Sequence, residues 1–369
     1  MKNGYKFIDS DLHILEPDDL WLRYMEPSLR DQAPRGITQF PRDPSLEWRG
    51  EKLPRRPEVT QQDFVNKVRS QAERYRSDAE RGFDSHVQLE AMDKEGIDRA
   101  VLFPTRGLFV VAFPEMEPKI AAAVCRAYND WMYDFCKPDR HRLLGAALLA
   151  PHSISDAVLE ARRAVKELGF KGVVMRPNPI NGKYFHQPEF DPLWAELESL
   201  NVPVCFHEGG AGNCPIESTG RRFGGLFTMG HVVSHPLEQM QACVAMCAGG
   251  VLHRFPKLRV GFLEANCAWV PWMLWRMDEH AEFADLIKGD RLAPSAYFKR
   301  SCWVSVESDE ECAHDAIKQL GGSNVVFSTD YPHLDSKFPH ATDRFLQLGL
   351  SEEYNRKILY DNCAALYAL

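Results

Sequence analysis

No segment of this 369-residue sequence is apolar enough to cross a bilayer, because no apolar run approaches the roughly 18 to 20 residues that a spanning helix needs. A membrane partner is therefore not expected. Charge of one sign is not gathered anywhere either: 44 Lys and Arg against 52 Asp and Glu give a net charge of −8, with neither a basic block nor an acidic tail, which argues against nucleic acid as a partner. Cys-x-x-C pairs are missing, although there are ten cysteines, at 125, 136, 205, 214, 243, 247, 267, 302, 312 and 363. A chain of this size needs no disulfide framework, so most of them read as reduced core thiols; Cys243 and Cys247 alone have a spacing that suits structural zinc, without a second pair to complete the site. Internal repeats and low-complexity tracts are absent. The opening Met-Lys-Asn-Gly-Tyr-Lys leads at once into strand-like sequence and leaves no room for an apolar signal region, so the expected location is the cytoplasm.

What is present is a regular alternation. Short apolar runs read as strands over Tyr5 to Asp11, Arg99 to Pro104, Leu143 to Ala150, Gly172 to Arg176, Val202 to His207, Leu258 to Glu264, Cys302 to Glu307 and Val325 to Asp330. Segments of helical period lie between them, at Lys119 to Phe135, Ile154 to Leu168, Pro192 to Leu200, Pro236 to Leu252, Trp269 to Leu286 and Asp309 to Leu320, with a terminal helix over Glu352 to Tyr367. Eight strands separated by helices predict an α/β fold of the (β/α)8 TIM-barrel type, because closure gives every strand two neighbours. Length is compatible with one domain over residues 1–369. Between Glu26 and Arg81 the composition shifts to Pro, Arg, Asp and Gln with weak periodicity. That stretch predicts a long insertion after the first strand, either a lid over the barrel mouth or a surface arm.

The ionisable residues fall where such a barrel does its chemistry. Strand 1 ends in Asp11 and His13 with Glu16 close behind, strand 5 in His207 and Glu208, strand 6 in Glu264, and strand 8 in Asp330. These ends converge on one rim, and alternation along strand 1 puts Asp11 and His13 on the same side. Each residue alone is more often structural. Gathered at one rim, carboxylates and imidazoles repel or stay poorly solvated unless a cation lies between them, which predicts a divalent metal.

The Asp11-x-His13 opening, His207 after Pro203-Val-Cys-Phe, the block Phe255-Pro-Lys-Leu-Arg-Val-Gly-Phe-Leu-Glu264, the turn Ser328-Thr-Asp330-Tyr-Pro-His333 and the ending Ile358-Leu-Tyr-Asp-Asn-Cys-Ala-Ala-Leu-Tyr367 resemble the amidohydrolase-related family. The branch in question includes aminocarboxymuconate semialdehyde decarboxylase. The resemblance implies Asp11, His13, His207 and Asp330 as ligands of a first ion. Two departures stand out: many relatives open with His-x-His, and the decarboxylases have a His-Gly-Gly run where this chain has Glu264-Ala-Asn. Strand 4 ends Met175-Arg176, so the carboxylated lysine that bridges two metals in dinuclear relatives has no counterpart. If two ions bind, Glu16, Glu264 and His235 are the candidates to complete the second site. Such an oxygen-rich set suits zinc, manganese or iron.

Around the metal, Asp330, His235 and His333 are candidate catalytic groups. Arg176 and Arg106, with Arg221 behind them, are candidates to bind a substrate carboxylate through bidentate hydrogen bonds. Glu208 is a candidate to steady a ligand, whereas Trp269 and Trp272 read as core. The expected activity is metal-dependent hydrolysis or non-oxidative decarboxylation of a small organic acid or its derivative. Two alternatives remain. One is a dinuclear Fe/Fe or Mn/Fe monooxygenase; the other is a catalytically silent metal-binding subunit. The expected partners are a small-molecule substrate and a second chain, in a homo-oligomer or a hetero-oligomer with a related sequence.

Overall fold

The computed structural model describes residues 1–55, 62–210, 212–224 and 226–369, without the side chains of residues 62–65. Residues 56–61 of the expected insertion lie outside the described residues. Strand β1 (Ile8–His13) is followed by a small antiparallel sheet, β2 (Arg35–Gly36), β3 (Leu46–Trp48) and β4 (Glu51–Leu53). Seven further strands then join β1 in one parallel sheet: β5 (Arg99–Phe103), β6 (Leu143–Leu148), β7 (Gly172–Met175), β8 (Val204–His207), β9 (Val260–Leu263), β10 (Cys302–Val306) and β11 (Val325–Phe327). Their order in space is their order in the chain, which is the (β/α)8 barrel.

All eight strands stand where the sequence places them, and all are buried along their length except for the half-buried Arg99 that opens β5. Near-continuous Val, Leu, Ile and Phe content is what burial on both faces demands. Several strands stop short of the expected ends. Glu264 and Ser328–Asp330 leave the ladder, and Glu264 and Asp330 take left-handed backbone at φ 54° and 55°. A non-glycine residue in that region is strained, and here two carboxylates of the rim are the residues involved.

The barrel closes differently from the other joints. Among the described residues β11 and β1 share no regular ladder; instead Ser10 Oγ donates to Phe327 O at 2.8 Å, Ser328 Oγ donates to Asp11 O at 3.0 Å, and His13 N donates to Tyr331 O at 2.8 Å. Strand β1 also carries an irregularity against β5, where the register moves from Asp9↔Ala100 to Leu12↔Leu102. One extra residue on β1 turns Ser10 and Asp11 out of the plain alternation assumed from sequence. Below the rim, Asp9 accepts from Thr329 N at 3.2 Å, and burial pushes its carboxyl up to about 7 against those hydrogen bonds.

The helices depart from expectation in three places. The helix expected from Pro236 begins at Phe227 and runs to Cys247 with Pro236 inside it, so Pro236 does not mark a helix start. The terminal helical run is in three pieces, with a wider π turn over Lys357–Asp361. Trp269 is in the core, but Trp272 is exposed with Trp275 on the outer face of the helix Val270–Phe283. Spacing of three residues puts those two tryptophans on one stripe, away from the barrel.

The insertion grips the loop after β11. Arg42 Nε donates to Pro332 O at 3.0 Å, Arg74 Nη2 to Leu334 O at 2.8 Å, and Tyr331 OH to Asp78 Oδ2 at 3.2 Å. Close packing is equally evident at the loop after β5, where a Cβ on Gly107 would lie 2.8 Å from Pro104 Cβ and 3.0 Å from Leu148 Cδ2. Overpacking a site without slack costs about 1–3 kcal/mol. Gly107→Ala is therefore expected to lower stability by about that amount, read as a lower urea midpoint; an unchanged midpoint would contradict the close packing described.

Candidate metal centre

Four side chains from three strand ends converge at the barrel mouth. His13 Nδ1 lies 2.9 Å from Pro104 O, and His207 Nδ1 lies 2.7 Å from Glu208 O. A carbonyl only accepts, so each Nδ1 carries the proton and each Nε2 is left with a lone pair. The two Nε2 atoms are 2.9 Å apart. Around them, Asp11 Oδ1 is 3.5 Å from His13 Nε2, Asp11 Oδ2 is 3.3 Å from His207 Nε2, and Asp330 Oδ1 is 3.6 Å from His13 Nε2.

Two Nε2 atoms this close repel unless a proton or a metal ion stands between them. Asp11 Oδ1 is buried with no hydrogen-bond partner, a costly condition that a metal ion removes, while Asp330 Oδ1 meets His333 Nδ1 at 2.5 Å. The residues therefore fit a divalent ion held by two imidazoles and two carboxylates. Electrostatics agree: burial lowers His207, yet the carboxylates of Asp11 and Glu264 outweigh it and lift the imidazole to about 9. A negative field that favours a proton there favours a cation in the same place. Burial, with His333 and His207 beside it, holds His13 well below the usual histidine range. Burial and the carboxylates of Glu264, Asp335 and Asp11 push Asp330 well above the usual carboxylate range.

The other expected site residues are placed as follows. Glu16 is not brought to this cluster. Its carboxylate accepts from the backbone N–H groups of Thr105, Arg106 and Gly107 at 3.2, 2.8 and 2.9 Å, so it anchors the loop after β5 instead of facing an ion. Arg106 is also committed: its guanidinium donates to Glu16 O, Thr38 Oγ1 and Asp43 O and pairs with Asp18, which leaves no bidentate face for substrate. Arg176 is buried and bonded to Glu208 Oε1 at 2.8 Å, Leu108 O at 3.1 Å and Asn178 Oδ1 at 3.2 Å. It serves as a counter-ion to Glu208. Arg221 donates to Pro215 O, outside the cavity lining.

Glu264 approaches His207 from the Nδ1 side, at 3.2 Å, away from the converging Nε2 atoms. His235 Nε2 sits 3.5 Å from both Glu208 Oε2 and Glu264 Oε2, and these carboxylates outweigh burial to lift it to about 9. The same histidines, His207 and His235, overcome burial and hold Glu264 well below the usual carboxylate range. His333 Nδ1 is 2.5 Å from Asp330 Oδ1, and its ring stacks on His13 with centroids 4.1 Å apart.

His235, His333, Glu208 and Glu264 line a cavity of about 280 Å³, as do His231 and Arg42. A second, more polar cavity of about 370 Å³ shares the wall made by His231, His235 and Glu264. Sequence reasoning missed three contributors, His231, Gln239 and Arg42. His231 and Gln239 flank the expected His235 at four-residue spacing, which puts all three on one helix face, and Gln239 Nε2 ties Phe206 O to Leu263 O at 2.7 and 2.9 Å. That spacing was a usable signal once the helix was known to start at Phe227. Arg42, in the aperiodic insertion, carried none.

The amidohydrolase family model matches residues 8–369, and the chain belongs to that family. It is 29% identical over 298 residues to the gamma-resorcylate decarboxylase of Rhodococcus jostii, covering 77% of this chain and 87% of that one. It is 30% identical over 298 residues to decarboxylase orsB of Emericella nidulans, covering 76% and 84%. Among solved structures, an amidohydrolase from Mycobacterium avium subsp. paratuberculosis superposes with a TM-score of 0.77 at 21% identity, with 99% of each chain covered. A dihydroxybenzoic acid decarboxylase from a Polaromonas species, holding manganese and 2-nitroresorcinol, gives 0.66 at 19% identity, with 99% of this chain and 97% of that one covered. These superpositions show the barrel. The decarboxylating branch is the one the sequence resembles, and the dinuclear oxygen-activating alternative finds no support among these relatives.

Substitution separates anchor from ligand. Glu16→Ala removes the acceptor for three backbone N–H groups and is expected to cost about 3 kcal/mol in urea unfolding while metal content per folded chain is unchanged. His207→Ala is expected to abolish metal binding, measured by elemental analysis after manganese loading. Loss of metal in Glu16→Ala would make Glu16 a ligand after all.

Proposed function

We propose that this protein is a metal-dependent decarboxylase that removes the carboxylate of a small aromatic acid without oxidation, using one divalent ion held by Asp11, His13, His207 and Asp330. The observation that carries this reading is the 2.9 Å approach of two imidazole Nε2 atoms beside the carboxylates of Asp11 and Asp330, with Asp11 Oδ1 buried and unpartnered. Decarboxylase names among relatives that share most of the chain favour decarboxylation over hydrolysis. The manganese in the Polaromonas enzyme supports manganese, with zinc and iron equally compatible with the donor set.

When bound, the ion supplies Lewis acidity that orients the oxygens of the acid and draws charge from them. The chain's own groups handle the proton. Decarboxylation breaks the bond between ring carbon and carboxyl carbon, releases CO2, and leaves an electron pair on the ring carbon that must be protonated. Asp330 Oδ1 and His333 Nδ1, 2.5 Å apart, hold a proton between them, with His333 in the lining of the first cavity and Asp330 in that of the second. Thr105 Oγ1, 3.5 Å from His333 Nε2 and 3.4 Å from His13 Nδ1, steadies both rings. His235, held as an imidazolium between Glu208 and Glu264, supplies a fixed positive charge facing the substrate; with Glu16 committed elsewhere, this arrangement favours one ion over two.

Ten free thiols support a reducing compartment, the cytoplasm. Exposed Trp272 and Trp275 support association with a second chain of the same or a related sequence.

Three measurements test the reading. Manganese-loaded protein offered hydroxybenzoates is expected to release CO2 and the corresponding phenol in equal amounts, with or without oxygen; a hydroxylated product that requires oxygen would overturn it. Chelation is expected to abolish turnover and manganese to restore it. Asp330→Asn is expected to lower kcat by about 100-fold or more, the scale of a lost proton-transfer group, and a near-normal kcat would exclude Asp330 from the proton path.

A further inference from the structure

We infer that the acid taken by this site carries an apolar extension, an alkyl chain or further hydrocarbon ring, on the side away from its carboxylate. The inference rests on the decarboxylase reading and adds the substrate class to it. The cavity of about 280 Å³ is divided by chemistry. One end holds Thr105, Glu208, His235, Glu264 and His333, beside the converging donors. Arg42, Gln71, Asn213, His231 and Asp335 also line it, and the rest of the wall is hydrocarbon. From the barrel loops it is lined by Leu108, Phe109, Phe227 and Leu334, and from the insertion by Phe40, Pro44, Pro54 and Val68.

A single hydroxylated ring bound at the donors places its carboxylate and hydroxyl at the polar end and has few atoms left to meet this wall. The volume is close to the roughly 300 Å³ at which pockets begin to take drug-sized ligands. Apolar walls facing only water gain nothing, whereas each methylene moved from water onto them contributes about 0.8 kcal/mol, close to fourfold in affinity. Half of the wall comes from the insertion. The insertion is therefore the part of the chain that selects the extension, while the barrel end holds the reacting group. Arg42, also in the lining, ties the insertion to the loop after β11 through its Nε to Pro332 O at 3.0 Å.

The test is a binding series of 4-alkyl-2-nitrophenols, methyl through butyl, titrated by calorimetry into manganese-loaded protein. These compounds offer adjacent oxygens to an ion and have no carboxylate to lose. Affinity is expected to rise about three- to fourfold per methylene, and Val68→Asp or Phe40→Ser to flatten the rise while leaving the methyl compound's affinity within about twofold. Affinity that is constant or falls with chain length, in protein that still releases CO2 from hydroxybenzoates, overturns the inference and leaves the decarboxylase reading intact. Failure of every member to bind, together with no CO2 release, overturns both.

Discussion

Two imidazole nitrogens, each left with a lone pair by a backbone carbonyl that claims the other nitrogen's proton, face each other at 2.9 Å. That arrangement is the constraint on which the site depends. Pro104 O and Glu208 O claim the Nδ1 protons, which aims both Nε2 atoms at each other, and with Asp11 and Asp330 around them they fit a metal ion in the place that a shared proton otherwise takes. Remove either carbonyl contact and a ring is free to rotate or to satisfy its neighbour with a proton. The barrel contributes by bringing β1, β8 and the loop after β11 to one rim, where residues distant in sequence share a small volume.

Much of the surrounding structure serves to hold that rim. Closure between β11 and β1 relies on Ser10, Ser328 and His13 N in place of a ladder, so the joint that carries Asp11 and His13 on one side and Asp330 on the other is made by specific hydrogen bonds. Glu16 ties the loop after β5, whose Pro104 orients His13. Gln239 spans β8 and β9 below His207 and Glu264. Strained backbone at Glu264 and Asp330 turns both carboxylates into the mouth, a cost that the rest of the packing offsets.

The barrel is legible in the sequence because its signals are strong and local: eight buried apolar runs with helical segments between them leave little choice of fold. That Asp11, His13, His207 and Asp330 gather is legible for a related reason, since strand ends of a barrel share one rim; the extra residue in β1 and the left-handed backbone at Asp330, which set how two of them point, were not. Residues whose placement depends on loops were not. Glu16 and Arg106 have the chemistry of a ligand and a substrate clamp, yet both are consumed by backbone groups of the loop after β5, a demand that no residue pattern announces. Arg176 finds Glu208 across two strands. The insertion's contribution, Phe40, Arg42 and Val68 against the cavity, depends on how a stretch without periodicity folds back over the rim. His231 could have been paired with His235 by spacing alone, but only with the helix extended past Pro236, which sequence rules discourage.

The central claim is that one divalent ion sits between His13 Nε2 and His207 Nε2, completed by Asp11 and Asp330. Anomalous diffraction at the manganese edge from crystals of manganese-loaded protein tests it directly. The account predicts one peak within bonding distance of both Nε2 atoms and of a carboxylate oxygen from each aspartate. A peak centred on His235 and Glu264 with none between His13 and His207, or no peak at saturating manganese, would contradict it.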